Sequence, residues 1–535
     1  MDVWIVAEDS KENVVVACDG VIGDPLAGLG GPRDVDDPRA VIDPARLQDP
    51  RFEARIWRLS PDQYVRESQR LFGPGVPAVE LPGSASEDGL TNIAGNARID
   101  AGSAARFRDA ASMLARWVVS ERATRCADWG SPACRDALLG WLPDEAFRRP
   151  ATDEERSTLR ALFDQLETGY DFDFAVEGVV RAVLLAPEFL YRTELGEPGA
   201  TGEVVTLVGH EIASLLAFGI TDRAPDAELL ADAARLGDPD VREAQARRLM
   251  AGSAPVWERF FWEWLEMATL ESQGQEVGLS DALVGQIREE YATFVEEIIV
   301  RDRGTLRDLL STTRSWTRPE LAAYYGADHP GEGVAAIELD ATQRAGLLTR
   351  GVWLVSHGTR GRANVVRRGM GLYRDAMCND VTPIDIDLEE ALVELVGEDA
   401  TVREIVEARG NDPTCGGCHE IADPVGLVFE SFSGDGRWQT EYADGLPVEP
   451  QIDLELGSFD NAAEFSAALA DDPAFKHCMI QRFAHFLMGI DVGSPRAIRW
   501  TYDALVDFDA AEGSFEELLV SIVRHPAFVE RRREP

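Results

Sequence analysis

The sequence predicts a mainly α protein built from several small helical domains in series. Apolar residues recur at helical spacing along most of the chain, as at Ile287, Tyr291, Phe294 and Ile298. The alternation of apolar and polar residues that indicates a strand is confined to residues 446–456. At about 100–200 residues per domain, a chain of 535 residues has room for about three to five compact units.

Helix start signals place the predicted helices along the chain. Ser60 followed by Pro61 is typical of an N-cap and the first helical position. Ser514 and Glu517 have the spacing of a capping box before an aliphatic run. Between these points, apolar periodicity predicts helices over residues 207–216, 225–236, 238–250, 255–267 and 283–300.

Two distant segments of the chain are similar to each other. Residues 179–192 and 518–531 each form an aliphatic helical run that meets a proline, Pro187 or Pro526, with a phenylalanine shortly after it. Because proline disfavours helix at the residue before it, we expect both helices to end there. Chance similarity between two amphipathic helices explains the match as well, so no repeat fold is predicted.

The chain is strongly acidic, with 95 Asp and Glu residues against 52 Lys and Arg residues and a net charge of −43. Nucleic acids and anionic membrane surfaces would repel such a surface, so neither is expected as a partner. No run approaches the ~18 consecutive apolar residues of a membrane-spanning helix. Membrane attachment is therefore expected only through an N-terminal lipid anchor.

Such an anchor is suggested by residues 15–18, VVAC, which resemble the end of a bacterial lipoprotein signal with Cys18 as the lipidated cysteine. A Gly-, Pro- and Asp-rich tether follows them to residue 49. The stretch before them lacks a basic start and is interrupted by charged residues such as Glu8 and Lys11. Lipidation of Cys18 and a chance cysteine in a disordered tail both stay open.

The most specific pattern is the pentapeptide CGGCH at residues 415–419, which is CxxCH, the c-type heme attachment motif. Its spacing suits the chemistry, because two thiols about one helical turn apart can add to the two vinyl groups of one porphyrin. The adjacent histidine is then held beneath the ring, where its Nε2 binds iron. We therefore predict a cytochrome c-like segment with one covalent heme c on Cys415 and Cys418 and with His419 as the proximal iron ligand.

The pentapeptide has three other interpretations: a zinc half-site, a redox dithiol and coincidence. A zinc half-site would need a second Cys/His pair at zinc-finger spacing, and a redox dithiol would need a thioredoxin-like βαβ context. Neither accompanies the motif in this sequence, and coincidence is a poor explanation where cysteine is scarce. Covalent heme attachment takes place outside the bacterial cytoplasm, so the motif predicts a protein of the periplasm or cell envelope.

The other cysteines fit an oxidising compartment. Cys126 and Cys134 close a short loop that contains Gly130 and Pro132, and we expect them to form a disulfide. For Cys378 and Cys478 two alternatives stay open. They form a second disulfide, which would join the C-terminal helices to the heme segment, or they are two buried thiols.

Five blocks of sequence, in this order along the chain, carry a resemblance to a known family. They are IWRLSPDQY (56–64), FRRPATDEE (147–155), PEFLYR (187–192), RAGLLT (344–349) and CGGCHEIADPVG (415–426). With them the chain, from about residue 55 to 532, resembles the multi-domain cytochrome c proteins of planctomycetes and myxobacteria and their associated domains of unknown function. The resemblance implies a domain map and a heme cofactor, and it implies no defined reaction.

The resemblance and the composition together predict six segments. They are an N-terminal lipobox-like segment and flexible tether (1–50), an N-terminal helical domain (51–120), a helical domain with the Cys126/Cys134 pair (121–196), a central helical domain (197–335), a heme c domain (336–456) and a C-terminal helical domain (457–535).

The leading hypothesis for the function is extracytoplasmic electron transfer through one heme, with a redox partner protein whose basic surface the acidic chain would attract. The alternatives are a heme-assisted oxidoreductase with an unknown substrate and a surface-anchored binding or scaffold protein with a structural heme. A heme module needs only about 100 residues, so the long preceding chain counts against a simple carrier. No HExxH, GxSxG, P-loop or dinucleotide-binding fingerprint supports the enzyme.

The motif does not fix the sixth iron ligand. Met479 and Met488 are candidates, because small cytochromes with a methionine ligand carry it some tens of residues after the heme histidine. Met479 also lies on an apolar helix face, which is typical of a core residue. A histidine is the second alternative, with His357, His477 and His485 as candidates, and an open or water-bound site is the third.

Overall fold

The computed structural model describes residues 51–83, 90–91, 101–359, 364–378, 400–412, 416–489 and 495–533. In these ranges the chain forms 22 α-helices, and the structure is 61% helical and only 9% strand. The predicted fold class, a mainly α protein with several small helical domains, is confirmed. Among the described helices, none combines the length and the apolar character needed to span a membrane.

The first six helices surround a hydrophobic core of their own. Ser60 caps the first helix as predicted, and Gln63 completes a capping box. Tyr64 lies in the middle of this core, and its ring meets Phe107 and Phe189 edge-on at centroid distances of 5.6 and 5.4 Å. The elements are β1 Phe52–Glu53, β2 Arg55–Arg58, α1 Pro61–Phe72, α2 Ala101–Ser120, α3 Pro132–Ala146, α4 Asp153–Gly169, α5 Phe172–Leu185, α6 Pro187–Leu190 and β3 Tyr191–Glu194.

The middle of the chain contributes eight helices to a second, larger core. Trp257, Phe260, Phe261 and Trp264 are all buried, as predicted for an aromatic helix that is apolar on more than one side. The elements are β4 Val204–Thr206, α7 Gly209–Thr221, α8 Ala227–Ala231, α9 Pro239–Leu249, α10 Ala254–Trp264, α11 Leu270–Glu276, α12 Asp281–Val295, α13 Leu306–Ser311, β5 Arg314–Thr317, α14 Pro319–Tyr324 and β6 Ala335–Glu338.

The C-terminal helices complete the second core. The Phe483 ring stacks on Trp257 of α10 at a centroid distance of 4.2 Å, so the two halves share one interior. The elements are α15 Gly351–Ser356, α16 Asn364–Met370, a π-helical turn Gly371–Ala376, α17 Val402–Asn411, α18 Gly416–Leu427, β7 Ile452–Leu454, β8 Gly457–Phe459, α19 Ala462–Leu469, α20 Pro473–Met488, α21 Pro495–Ala510, α22 Phe515–Arg524 and β9 Glu530–Arg532.

Each predicted segment from residue 51 onward contributes mainly to one of the two cores. Residues of segments 51–120 and 121–196 share the first core. Segments 197–335, 336–456 and 457–535 share the second, together with a few side chains from the N-terminal segment, such as Trp57. The segment boundaries themselves stay a prediction.

The expected helix ends before Pro187 and Pro526 are confirmed. α5 ends at Leu185 and α22 ends at Arg524. In both places the proline opens one short helical turn, and a strand, β3 or β9, follows it. The same local sequence therefore gives the same local structure twice.

Short strands bring distant parts of the chain together. β9 pairs in parallel with β1 and antiparallel with β4, so the last described residues lie beside the first. β2 pairs antiparallel with β3, and the Glu194 carboxylate there accepts hydrogen bonds from Arg55 and Arg531. The sequence pattern predicted none of these strands.

A buried arginine anchors the FRRPATDEE block. Arg148 donates to the backbone carbonyls of Glu188, Phe189 and Tyr191 in the PEFLYR block, so these two blocks bind each other. Backbone carbonyls that would otherwise be unpaired at a helix end are satisfied in this way. The described contacts give these blocks a structural role.

A buried ion pair joins four elements of the second core. Arg350 donates to Glu290 Oε1 over 2.7 Å, and both side chains are 0% exposed. The same carboxylate accepts hydrogen bonds from Ser315 over 2.6 Å and from Tyr325 over 2.8 Å. The Arg350 guanidinium also lies over the Phe294 ring, 4.1 Å from its centroid. This network connects α12, β5, α14 and the start of α15.

Candidate functional site

The predicted heme motif lies at the start of α18. The helix begins at Gly416, so Cys418 and His419 belong to its first turns. Cys415 lies outside the described residues, and Cys418 is described only as part of the helix. The described part of the site consists of His419 and of the residues that hold α18 in place.

His419 is held by a carboxylate one helical turn further on. Its Nδ1 lies 3.0 Å from Asp423 Oδ1, and the other oxygen of Asp423 accepts a hydrogen bond from Arg409 Nε over 2.5 Å. The Asp423 side chain is 0% exposed and that of His419 is 16% exposed. Arg409 belongs to the last turn of α17, so the group joins two helices.

This geometry decides which ring nitrogen of His419 is available. A carboxylate accepts hydrogen bonds and donates none, so the proton of the neutral imidazole lies on Nδ1. Nε2 then keeps its lone pair, and within the described chain this atom makes no hydrogen bond. A hydrogen bond from Nδ1–H to a carboxylate is one of the common arrangements of a metal-ligating histidine. His419 thus fits the predicted role of a proximal iron ligand.

Close backbone contacts fix the position of α18. A Cβ atom built on Gly369 of α16 would lie 2.1 Å from the Ala422 carbonyl oxygen. A Cβ on Gly426 would lie 1.9 Å from the Val365 carbonyl oxygen, so both crossings require glycine. On the other side Gly410 of α17 approaches the Cα of Glu420. The helix that carries His419 is therefore clamped between α16 and α17.

The methionine candidates for the sixth ligand lie in the interior of α20. Met479 and Met488 are both 0% exposed and belong to the second core. Such burial is typical of a core residue and is also compatible with an iron ligand that becomes enclosed. Methionine ligation stays a prediction.

The histidine candidates differ in their contacts. His357 Nδ1 lies 3.1 Å from the Trp353 carbonyl oxygen, and burial lowers its pKa to about 4. His477 Nε2 lies 3.4 Å from the Thr501 hydroxyl. His485 is fully buried, neither of its ring nitrogens has a hydrogen-bond partner in the described structure, and burial lowers its pKa to about 3. His477 and His485 are both buried, because α7, α10 and α21 pack around α20.

The structure contains the expected Cys126–Cys134 disulfide and also joins Cys378 to Cys478, for which a disulfide and two buried thiols were open alternatives. Cys126 and Cys134 form a disulfide with their Cα atoms 4.9 Å apart, and Cys378 and Cys478 form another with a Cα distance of 5.5 Å. The second bond connects Cys378, two residues after the π-helical turn, with Cys478 of α20. Cys18 lies outside the described residues.

Sequence reasoning gave Asp423 and Arg409 no role at this site. Asp423 is four residues after His419 and so lies on the same helix face, which is a signal that could have identified it. Arg409 reaches the site through the tertiary contact of two helices. Sequence spacing alone therefore could not predict that Arg409 binds Asp423.

A second buried acid, Glu430, follows α18. One of its oxygens accepts a hydrogen bond from the Tyr442 hydroxyl over 2.9 Å, and the other, Oε1, has no partner among the described residues. Arg368 lies nearby but donates to the carbonyls of Phe429 and Phe432. Burial raises the pKa of the Glu430 carboxyl to about 7, against the lowering effects of Arg368 and Tyr442.

This carboxyl gives the folded protein a specific pH dependence. Its ordinary pKa is 4.5, so the folded state holds the proton more tightly than the unfolded state. The resulting stabilisation is complete below pH 4.5 and is lost as the pH rises to about 7. At 1.36 kcal/mol per pKa unit the loss amounts to about 3 kcal/mol. Replacing Glu430 by Gln should remove this pH dependence of the free energy of unfolding, which urea unfolding between pH 4 and 8 measures.

Substitution of the exposed neighbour Glu441 by Gln controls for the loss of one negative charge. Between pH 4 and pH 8 the free energy of unfolding of the unchanged protein should fall by about 3 kcal/mol relative to that of Glu430→Gln. A difference that is constant from pH 4 to 8 would show that Glu430 does not titrate there.

Three parts of the chain match families described as proteins of unknown function. Residues 134–194 match DUF1595 (PSD5), residues 207–327 match DUF1592 (PSD4) and residues 344–442 match DUF1588 (PSCyt3). Together these families are the domain set of planctomycete-type multi-domain cytochrome c proteins. The third match contains the CGGCH pentapeptide, Asp423 and Glu430. No curated protein and no solved structure matches the chain.

Proposed function

We propose that the protein is an extracytoplasmic c-type heme protein that transfers electrons through one heme covalently bound to Cys415 and Cys418. One observation carries the proposal. The CxxCH motif stands at the start of a helix in which Asp423 holds His419 Nδ1 and leaves Nε2 unoccupied by any described hydrogen bond. The domain set of the matched families supports it.

The residues of the chain divide the work of holding the cofactor. Cys415 and Cys418 would hold it through thioether bonds, and His419 Nε2 would ligate its iron. Asp423 orients the imidazole ring, and the glycine contacts of α16 with α18 keep the helix from shifting. When bound, the heme would supply an iron that accepts and releases one electron.

The net charge and the motif support a proposal for the partner and the cellular location. A net charge of −43 would attract a basic redox partner protein and repel nucleic acid. Since heme is attached to CxxCH outside the bacterial cytoplasm, we place the protein in the periplasm or cell envelope. Lipid on Cys18 is the proposed means of membrane attachment.

A redox titration of the exported, purified protein tests the proposal. A reversible one-electron titration of the heme spectrum, unaffected by small-molecule substrates, is the expected result for an electron carrier. Heme reduction that depends on a substrate would instead identify an oxidoreductase. A heme that does not change oxidation state over the accessible range would contradict electron transfer and point to a structural cofactor.

A further inference from the structure

We infer that Asp423 is a positioning residue that fixes the proton of His419 on Nδ1 and lowers the reduction potential of the iron bound at Nε2, with Arg409 limiting that effect. The inference rests on the proposed function. It concerns the second layer of contacts around the cofactor, for which the pentapeptide gives no information.

The first step of the argument is the identity of the acceptor. The histidine Nδ1–H donates to a side-chain carboxylate, 3.0 Å away. A carboxylate bonded in this way raises the electron density at Nε2 and makes the imidazole a stronger donor to a metal. A stronger donor favours the more positively charged ferric state. The redox partner protein of the proposed function would supply or take up the electron, and the proton would stay on His419 Nδ1 in both oxidation states.

The second step is burial. The Asp423 side chain is 0% exposed and that of Arg409 is 5% exposed, so water screens their charges little. Hydrogen bonding around an axial ligand and burial are two of the means by which a protein adjusts a heme potential. Removing the charge of Asp423 or of Arg409 should therefore have a large effect on the reduction potential of an iron held by His419.

The third step is the opposing action of Arg409. It donates to Asp423 Oδ2, the oxygen that does not face His419. Its positive charge withdraws negative charge from the carboxylate and weakens the hydrogen bond to the imidazole. Removing the charge of Asp423 and removing the charge of Arg409 should therefore move the potential in opposite directions.

The experiment compares two variants with a matched control. In Asp423→Asn the midpoint potential should rise, and in Arg409→Gln it should fall, each by on the order of tenfold in the equilibrium constant for reduction, or ~59 mV for a one-electron couple. Glu290→Gln breaks another buried ion pair, Arg350–Glu290, and should leave the potential unchanged. If Asp423 only supported the fold, the midpoint potentials of Asp423→Asn and Arg409→Gln would not move in opposite directions.

A measurement on the unchanged protein covers the case in which a variant does not fold. In ¹⁵N-edited NMR of the reduced holoprotein, the Nδ1 proton of His419 should give a slowly exchanging signal. A rapidly exchanging Nδ1 proton, or potentials that do not move in opposite directions, would overturn the inference. Absence of heme from the unchanged protein would overturn the proposed function instead, so the two failures are distinguishable.

Discussion

The Glu290→Gln variant is expected to lose about 3–5 kcal/mol of the free energy of unfolding of the second core, the cost of leaving one member of a buried ion pair without its partner. Arg350 would keep a charge that is 0% exposed, and Ser315 and Tyr325 would lose a charged acceptor. Urea unfolding, followed by tryptophan fluorescence and circular dichroism, measures the loss.

The neighbouring residue on the same helix provides the control. Glu289 pairs with Arg318, and these side chains are 40% and 44% exposed. Exposed pairs contribute only about 0–1 kcal/mol, so Glu289→Gln should have little effect. Equal losses in the two variants would show that the buried network does not hold the core together.

Removing the Cys378–Cys478 disulfide is expected to destabilise the second core by about 4–5 kcal/mol. The bond joins residues 100 positions apart, and the entropy that it removes from the unfolded chain grows with the length of the closed loop. The loop contains α17 and the CGGCH pentapeptide, so loosening it also frees the candidate heme segment. The double variant Cys378→Ala, Cys478→Ala can be compared with the unchanged protein by urea unfolding.

The Cys126–Cys134 disulfide is the matched comparison, because it closes a loop only 8 positions long. Its removal should cost about 2–3 kcal/mol, and the loss should fall on the first core. Alkylation of all four cysteines in non-reduced, exported protein would show that neither bond forms.

The helical class was predictable because it depends on local signals. Ser60 and Gln63 form a capping box with Pro61 at the first helical position, and a helix ends just before Pro187 and another just before Pro526. The pairing of β2 with β3 was not predictable, since each strand is only four residues long and most of the first core lies between them in the sequence. Register between such distant segments is decided by tertiary packing.

The candidate site was predictable only in part. The CxxCH motif consists of five consecutive residues, so a sequence pattern can identify it. The carboxylate of Asp423 was within reach of a helix-face argument, while Arg409 and the buried pair Glu290–Arg350 were not. Charged residues are normally assigned to the surface, and only the folded chain shows which of them are buried with a partner.

Mass spectrometry of the heme-containing peptide tests the central claim most directly. Protein exported by a host that attaches c-type heme would be denatured, extracted with acidified organic solvent and digested. We predict the mass of one heme on the peptide that contains Cys415 and Cys418, its loss in the Cys415→Ala, Cys418→Ala variant and its retention in Cys126→Ala, Cys134→Ala. A peptide without heme, with both thiols of residues 415 and 418 free, would contradict the account.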